Sequence, residues 1–162
     1  LFLDANIWLY IEGPNAGRGN VARIYGNALK NMMQAGSLIV IDVLVLSEFV
    51  NSYARKEHRQ SNWNPNDFKG FRNSPGFQPI ARDISNKVRK IVKRCERCES
   101  GFTQIDIENL MMVFQQANRD FNDEVFVRLC KREHLTFVTH DGDFANATIP
   151  IVTANSHLLR YP

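Results

Sequence analysis

Residues 121–145, FNDEVFVRLCKREHLTFVTHDGDFA, contain a helix, a strand and an acidic loop in succession. Residues 123–133 carry apolar residues at helical spacing: Phe126, Leu129 and Cys130. The run LTFVT at 135–139 is rich in β-branched and aromatic residues, which predicts a buried strand. Asp141 and Asp143 follow this strand directly. The stretch therefore predicts a helix–strand unit of an α/β fold with carboxylates where the strand ends.

The rest of the chain repeats this alternation of strands and helices. Short apolar runs predict three more strands, at 1–3, 38–41 and 149–152. Apolar residues at helical spacing predict four more helices, at 20–35, 43–58, 80–99 and 107–118. The alternation predicts a single domain over 1–162. Its fold class is α/β, a three-layer α/β/α sandwich with a mainly parallel central sheet.

Two further features refine this prediction. Asp42 and Asp106 directly precede predicted helices and are expected to be their N-caps. Residues 59–79 are rich in Pro, Gly and Asn and predict a long ordered loop or an insertion. Its aromatic residues could cover the site, contact a partner or, as the favoured interpretation, fix the segment to the domain.

Composition excludes several classes of protein. The chain has 162 residues, of which 44% are hydrophobic and 23% charged, values typical of a globular protein rather than a disordered one. The sequence has no apolar run of the length that spans a bilayer, so we expect no membrane partner. The formal net charge of +3 permits nucleic-acid binding without indicating it.

The three cysteines, Cys95, Cys98 and Cys130, favour a reduced protein in the cytoplasm, because an odd number does not form a complete disulfide framework. Cys95-x-x-Cys98 has the spacing of a zinc half-site. It has no second pair and lies on the predicted inward stripe of the helix 80–99, so core packing is the favoured interpretation.

Acidic residues follow several of the predicted strands. In open α/β sheets, ligands bind at the carboxyl ends of the strands. Asp4 follows the first strand, and Asp141 and Asp143 follow the strand at 135–139, so all three are expected at one edge. Glu48 lies early in the helix after the second strand, near the same edge. Asp123 opens a helix that leads into a strand, and the pattern alone does not place it there.

Clustered carboxylates predict a metal site. They remain ionised together only beside a cation, unless one of them keeps its proton. Hard oxygen ligands favour Mg²⁺ or Mn²⁺. Each acid alone is more often a turn, cap or surface residue. The joint pattern is what favours a functional site.

Three segments carry a resemblance to a known family. LFLDANIWLY at 1–10 resembles the opening of PIN domains. VLSEFVN at 45–51 resembles their Glu-bearing helix, and residues 121–145 resemble their block of an Asp-led helix, a strand and T-x-D-x-D-F. IPIVT fits the last strand. The resemblance spans nearly the whole chain and, within the superfamily, is strongest to the VapC-type toxins of toxin–antitoxin pairs.

This resemblance implies a function and a set of site residues. Asp4, Glu48, Asp123 and Asp141 would be the catalytic, metal-binding acids, with Asp143 as a frequent fifth ligand. Asn6 and Thr139 would be supporting residues that position ligands or phosphate. The resemblance also implies a homodimer and a cognate antitoxin protein. Two departures, the long 59–79 segment and Glu124-Val125 after Asp123, leave the substrate and the partner open.

Basic residues are concentrated in the predicted helix 80–99. Five of them are the best candidates for an RNA-binding surface: Lys87, Lys90, Lys93, Arg94 and Arg97. A charged outer helix face is more often simply solvated. His140, beside Asp141, could carry a proton at neutral pH, although PIN chemistry does not require one.

We therefore expect a metal-dependent endoribonuclease, with Mg²⁺ or Mn²⁺ as cofactor and tRNA or another structured RNA as substrate. DNA is a further potential substrate. One alternative is a non-catalytic PIN-like module that binds RNA or protein. Another is a phosphatase of the haloacid dehalogenase type, a class in which a D-x-D motif follows the first strand. Here Asn6 occupies the position of the second Asp, and that alternative gives no role to Glu48.

Overall fold

The computed structural model describes residues 1–116 and 119–160, and its centre is a parallel sheet of five strands. The strands are β1 (Phe2–Leu3), β2 (Val40–Ile41), β3 (Glu96–Arg97), β4 (Phe137–Val138) and β5 (Ile151–Val152). Their order across the sheet is β3-β2-β1-β4-β5. Every pairing is parallel, with Phe2 opposite both Val40 and Phe137. The predicted α/β class with a parallel central sheet is confirmed.

Seven α-helices lie in the described residues. They are α1 (Ala5–Glu12), α2 (Asn20–Gln34), α3 (Val43–Gln60), α4 (Phe68–Asn73), α5 (Phe77–Val92), α6 (Ile107–Phe114) and α7 (Phe121–Arg132). Helix α1 packs on α2 and α3, α3 packs on α5, and α6 packs on α7. None of these helices has the length and apolar character needed to cross a membrane.

The connections explain how the layers arise and where the site lies. From β1 through β2 to β3 the chain moves in one direction across the sheet, and then it crosses to β4 on the other side of β1. Right-handed crossovers place α1–α5 on one face and α6–α7 on the opposite face, which gives the three-layer sandwich. The direction reverses between β1 and β4, and such switch points are where α/β sheets bind ligands.

An aromatic cluster joins the sheet to α7. The rings of Phe2 and Phe126 meet edge to face with centroids 5.4 Å apart, and those of Phe137 and Phe144 are 4.8 Å apart. All four side chains are fully buried. Because β1 and β4 are anchored by this packing, the residues that follow them are held at fixed positions on the edge of the sheet.

Helix starts follow the expected chemistry. Asp42 and Asp106 accept hydrogen bonds from the first turns of α3 and α6, as predicted for N-caps. Asp4 caps α1 in the same way. Helix α1, which begins directly after β1, was not among the predicted helices, because its short sequence is apolar on nearly every side.

The predicted helix at 80–99 is wrong at both ends. Helix α5 begins at Phe77 and ends at Val92, and the chain then forms strand β3. The backbone N–H groups of Glu96 and Cys98 donate to the carbonyl groups of Ile39 and Ile41, at 2.8 and 2.9 Å. The segment that helical spacing assigned to a helix therefore pairs as a strand with the open edge of β2. Cys95 and Cys98 consequently do not lie on a helical stripe.

About half of the predicted loop at 59–79 is helical. It includes the end of α3, all of α4 and the start of α5. Phe71 is buried and its ring contacts His58, Trp63 and Phe77. The expectation that aromatic residues fix this segment to the domain is therefore confirmed. The predicted helix at 107–118 ends at Phe114, and its residues 117 and 118 lie outside the described part of the chain.

Candidate active site

Four predicted acids face one another at the switch point. Asp4 follows β1 and caps α1, and Asp141 follows β4. Glu48 lies in the second turn of α3, and Asp123 lies in the first turn of α7. Besides burial, which is the largest cause, the charges of Asp4 and Asp141 raise the pKa values of both Glu48 and Asp123. The structure therefore brings these four carboxylates within range of one another's charge, in a cluster that we call the acidic cleft, including Asp123, which the strand pattern alone could not place.

Asp4 is the most constrained of the four acids. Its side chain is 5% exposed. The Thr139 hydroxyl and the Asn6 side-chain amide both donate to Asp4 Oδ2, each at 2.6 Å. Asp4 Oδ1 receives only a longer bond, 3.4 Å, from the Asn6 backbone N–H. One oxygen is therefore fixed by two donors, and the other retains capacity to accept from a ligand.

Thr139 links the ends of β1 and β4. Its buried hydroxyl donates to Asp4, and its oxygen accepts from the Asp141 backbone N–H at 3.0 Å. The Asn6 amide also approaches this oxygen at 3.3 Å. Asn6 Oδ1 accepts from the His140 backbone N–H at 3.3 Å. These contacts fit the supporting roles that the resemblance implies for Asn6 and Thr139. Asn6 carries an amide, so it does not supply the acid–base group that the second Asp provides in the phosphatase alternative.

The pKa values of three of these acids are raised toward neutrality. Burial raises the pKa of Asp4 to about 6, partly offset by hydrogen bonds from Thr139 and Asn6. Burial, followed by the charges of Asp4, Asp120 and Asp141, raises the pKa of Glu48 to about 7. Burial and the charge of Asp120 raise the pKa of Asp123 to about 7. The cleft is therefore unfavourable for negative charge unless a cation neutralises it.

Asp120 is a further acid of the cleft that the sequence analysis missed. It is the N-cap of α7 and accepts from the Asp123 backbone N–H at 3.0 Å, while Asp123 Oδ2 accepts in return from the Asp120 N–H at 3.4 Å. This reciprocal capping box orients both carboxylates. The signal was available, because an Asp three residues before another Asp marks such a helix start.

Asp143 differs in its surroundings from the other acids. It is exposed, on a short 3-10 helix spanning Gly142–Asn146, and its backbone N–H donates to Asp141 Oδ1 at 3.0 Å. This bond holds the Asp141 side chain in place. The Asp143 backbone therefore contributes to the site whether or not its carboxylate binds an ion.

The acids suit a hard cation in chemistry but do not form a ready-made ligand set. In residues 1–116 and 119–160, no group of three or more His, Cys, Asp and Glu side chains is arranged to hold a metal ion as it stands. All the donors of the cleft are nevertheless carboxylate oxygens, which Mg²⁺ and Mn²⁺ prefer. Burial and the neighbouring carboxylates raise the pKa values of Asp4, Glu48 and Asp123, so a cation bound here would favour their ionised forms. The residues therefore fit such an ion, provided that side chains rotate toward it.

His140 belongs to a structural cluster rather than to the acidic cleft. The Tyr25 hydroxyl lies 2.9 Å from His140 Nδ1 and donates to the Thr139 carbonyl oxygen at 3.2 Å. The rings of Tyr10 and Tyr25 stack, and both meet the His140 ring edge to face. These contacts fix the loop after β4, and they place the Nδ1 atom of the imidazole that the sequence suggested as a proton carrier against Tyr25.

Three of the five basic RNA-binding candidates are held by one buried acid. Glu12, at the end of α1, is 2% exposed. Its carboxylate pairs with Lys87 at 3.5 Å, Lys90 at 2.8 Å and Arg94 at 2.7 Å. Although burial opposes it, the pairing with Lys90 and Arg94 holds the pKa of Glu12 below its ordinary value. The other two candidates, Lys93 and Arg97, are exposed.

We expect Glu12→Gln to lower the free energy of unfolding by about 2 kcal/mol, because the buried carboxylate is lost while its cations can still reach water. Urea unfolding measures this change. The matched control is Glu133→Gln, which breaks the exposed pair of Glu133 with Arg132 and should cost under about 1 kcal/mol. Equal effects of the two substitutions would show that burial of Glu12 adds nothing to its pairing.

Comparisons with known proteins identify the family and a similar fold. The family model described as the PIN domain matches residues 1–150. A chain in the crystal structure of VapBC2 from Rickettsia felis, bound to a DNA fragment from their promoter, has a similar fold, with a TM-score of 0.59 and 16% sequence identity. That similarity covers 94% of this chain and 96% of the other. No curated protein matches the chain significantly.

Proposed function

The chain belongs to the PIN-domain family, and we propose that it is a metal-dependent endoribonuclease that hydrolyses RNA phosphodiester bonds as the toxin of a toxin–antitoxin pair. PIN domains are nucleases that generally use divalent metal ions. The observation that carries the proposal is the cleft of Asp4, Glu48, Asp123 and Asp141 at the switch point, where burial first, and then the charges of neighbouring carboxylates, raise the pKa values of Asp4, Glu48 and Asp123.

These four carboxylates would hold the ion, Mg²⁺ or Mn²⁺, and Asp143 would assist. A bound divalent ion lowers the pKa of water and neutralises charge on the phosphodiester. The chain's own contribution is to fix the ligands. Thr139 and Asn6 hold Asp4 Oδ2, and the Asp143 backbone holds Asp141 Oδ1. At the entrance to α7, the capping box holds Asp120 and Asp123.

We expect Thr139→Val to reduce the rate of cleavage about 10-fold and to increase the Mg²⁺ concentration needed, because groups that orient metal ligands typically contribute about 10- to 100-fold to affinity or activity. Valine keeps the shape of threonine but cannot donate to Asp4 or accept from the Asp141 N–H. The control is Thr136→Val, two residues before Val138, where the structure gives the side chain no hydrogen bond. Cleavage by Thr139→Val at the parent rate, with unchanged Mg²⁺ dependence, would remove Thr139 from the site.

The proposed partners have different support. The similarity in fold to VapBC2 supports a cognate antitoxin protein as partner. The homodimer is proposed from the resemblance to VapC-type toxins alone, and the cytoplasmic location from the odd number of cysteines. The exposed Lys93 and Arg97 support contact with an RNA backbone. tRNA or another structured RNA is the proposed substrate.

Purified protein would be incubated with end-labelled RNAs, including tRNA, and with DNA of matched sequence, each in Mg²⁺, in Mn²⁺ and in EDTA. We expect cleavage of RNA that requires metal. Cleavage of DNA alone would contradict the substrate class, and cleavage that persists in EDTA would contradict the metal dependence. Absence of cleavage, together with absence of metal binding, would favour a non-catalytic PIN-like module.

A further inference from the structure

A cavity of about 580 Å³ lies away from the acidic cleft, between α1, α2 and α5. Glu12 borders it and lies eight positions after Asp4 in the chain, at the other end of α1, which corresponds to roughly 12 Å along a helix. The cavity is within the size range of small-molecule sites, roughly 300–1,000 Å³. Neither the proposed metal centre nor its supporting residues use it.

The cavity has two kinds of wall. One is cationic and is formed by Lys30, Lys90 and Arg94, and the other is apolar and is formed by Ile11, Leu29 and Met33. Such a combination suits a ligand with an anionic end and a flat or apolar body, because each part then meets its own surface.

Positive charge exceeds negative charge at the cationic wall. Among the described residues, Glu12 is the only acid that borders the cavity, and it already pairs with Lys87, Lys90 and Arg94. Lys30 has no ion-pair partner in the described residues. The buried Glu12 therefore holds Lys90 and Arg94 in position without neutralising the wall, which leaves capacity to bind a phosphate group.

Gly26 keeps the α2 side of the cavity open. It lies in the middle of α2, and a Cβ atom at this position would meet no atom within 4 Å. Its backbone φ is not in the left-handed region. The absent side chain therefore leaves space rather than relieving strain, and a larger residue here would extend into the cavity without disturbing the helix.

We propose that this cavity binds a nucleoside monophosphate unit, with its phosphate at Lys30, Lys90 and Arg94 and its base against Ile11, Leu29 and Met33. The unit is either a free mononucleotide or one nucleotide of bound RNA, and the second form rests on the proposed nuclease function. The site itself requires neither metal nor cleavage.

The test uses Asp4→Asn protein in EDTA, so that neither cleavage nor metal binding contributes to the signal. Calorimetry measures binding of 5′-AMP, adenosine and inorganic phosphate. We expect AMP to bind more tightly than either fragment. Gly26→Leu, which fills the cavity and keeps every cation, and Lys30→Gln, which keeps the cavity and removes one cation, should each weaken AMP binding about 10-fold. Lys131→Gln, at the end of α7 on the other face, should leave it unchanged.

A single-stranded RNA oligonucleotide, added to the same proteins, distinguishes the two sources of the ligand. If Gly26→Leu weakens both AMP and the oligonucleotide, the cavity holds a nucleotide of RNA. If it weakens AMP alone, the ligand is a free mononucleotide. The proposal is overturned if AMP does not bind the parent, if phosphate or adenosine binds as tightly as AMP, or if both cavity variants bind AMP like the parent. Circular dichroism checks that the variants keep their helices.

Discussion

Asp4→Asn is expected to reduce the rate of RNA cleavage at least about 100-fold, because it removes a charged metal ligand. Groups that only orient such ligands already contribute about 10- to 100-fold to metal affinity or activity. Asparagine has nearly the shape of aspartate, and its carbonyl oxygen can still accept from Thr139 and Asn6. The fold should therefore be unchanged. Single-turnover cleavage of an end-labelled RNA measures the effect.

Asp106→Asn provides the matched control for this prediction. Asp106 caps α6 and is exposed, and asparagine is an equally good N-cap. The same chemical change outside the cleft should leave cleavage at the parent rate. Retention of the parent rate by Asp4→Asn would remove Asp4 from the catalytic centre, and equal losses in both variants would indicate a general effect of charge.

The second large effect is expected on stability in the absence of metal. The pKa of Asp4 is about 6 in the folded protein instead of 3.8, so the folded state binds more protons than the unfolded state between these values. The free energy of unfolding therefore falls as pH rises through this window. The difference for Asp4 corresponds to roughly 3 kcal/mol. Glu48 and Asp123 act in the same direction up to about pH 7, but solvent screens their contributions.

We therefore expect the melting temperature in EDTA to fall by roughly 5–10 °C between pH 5 and pH 7.5. Mg²⁺ should restore it at pH 7.5 and have little effect at pH 5, where protons compete for the ligands. Asp4→Asn should reduce the dependence on pH. A melting temperature that rises between pH 5 and 7.5 in EDTA would show that the cleft does not destabilise the metal-free protein.

The fold could be predicted from the sequence because its local signals agree. The runs before Asp4 and Asp141 are apolar and short, as buried parallel strands are, and the spacing of apolar residues marks α2, α3 and α7. The carboxyl ends of parallel strands meet at one edge, so the meeting of Asp4 with Asp141 follows from pattern alone.

Other features depended on tertiary structure, which short-range patterns do not carry. Strand β3 has two exposed residues, Glu96 and Arg97, and forms only because the edge of β2 supplies partners for its backbone. Glu12 lies outside every predicted helix, and its burial becomes visible only when α1 forms and Lys90 and Arg94 lie beside it. Asp123 joins the cleft because α7 lies on the opposite face of the sheet and starts near the edge where β4 ends.

Binding of Mn²⁺, followed by electron paramagnetic resonance at pH 7.5, decides whether the carboxylates between β1 and β4 form a divalent-metal site. We expect the parent protein and Asp106→Asn to bind Mn²⁺ and Mg²⁺ to displace it. Asp4→Asn should bind at least about 10-fold more weakly. Failure of the parent protein to bind Mn²⁺, or equal binding by parent and Asp4→Asn, would show that these carboxylates are not a metal site.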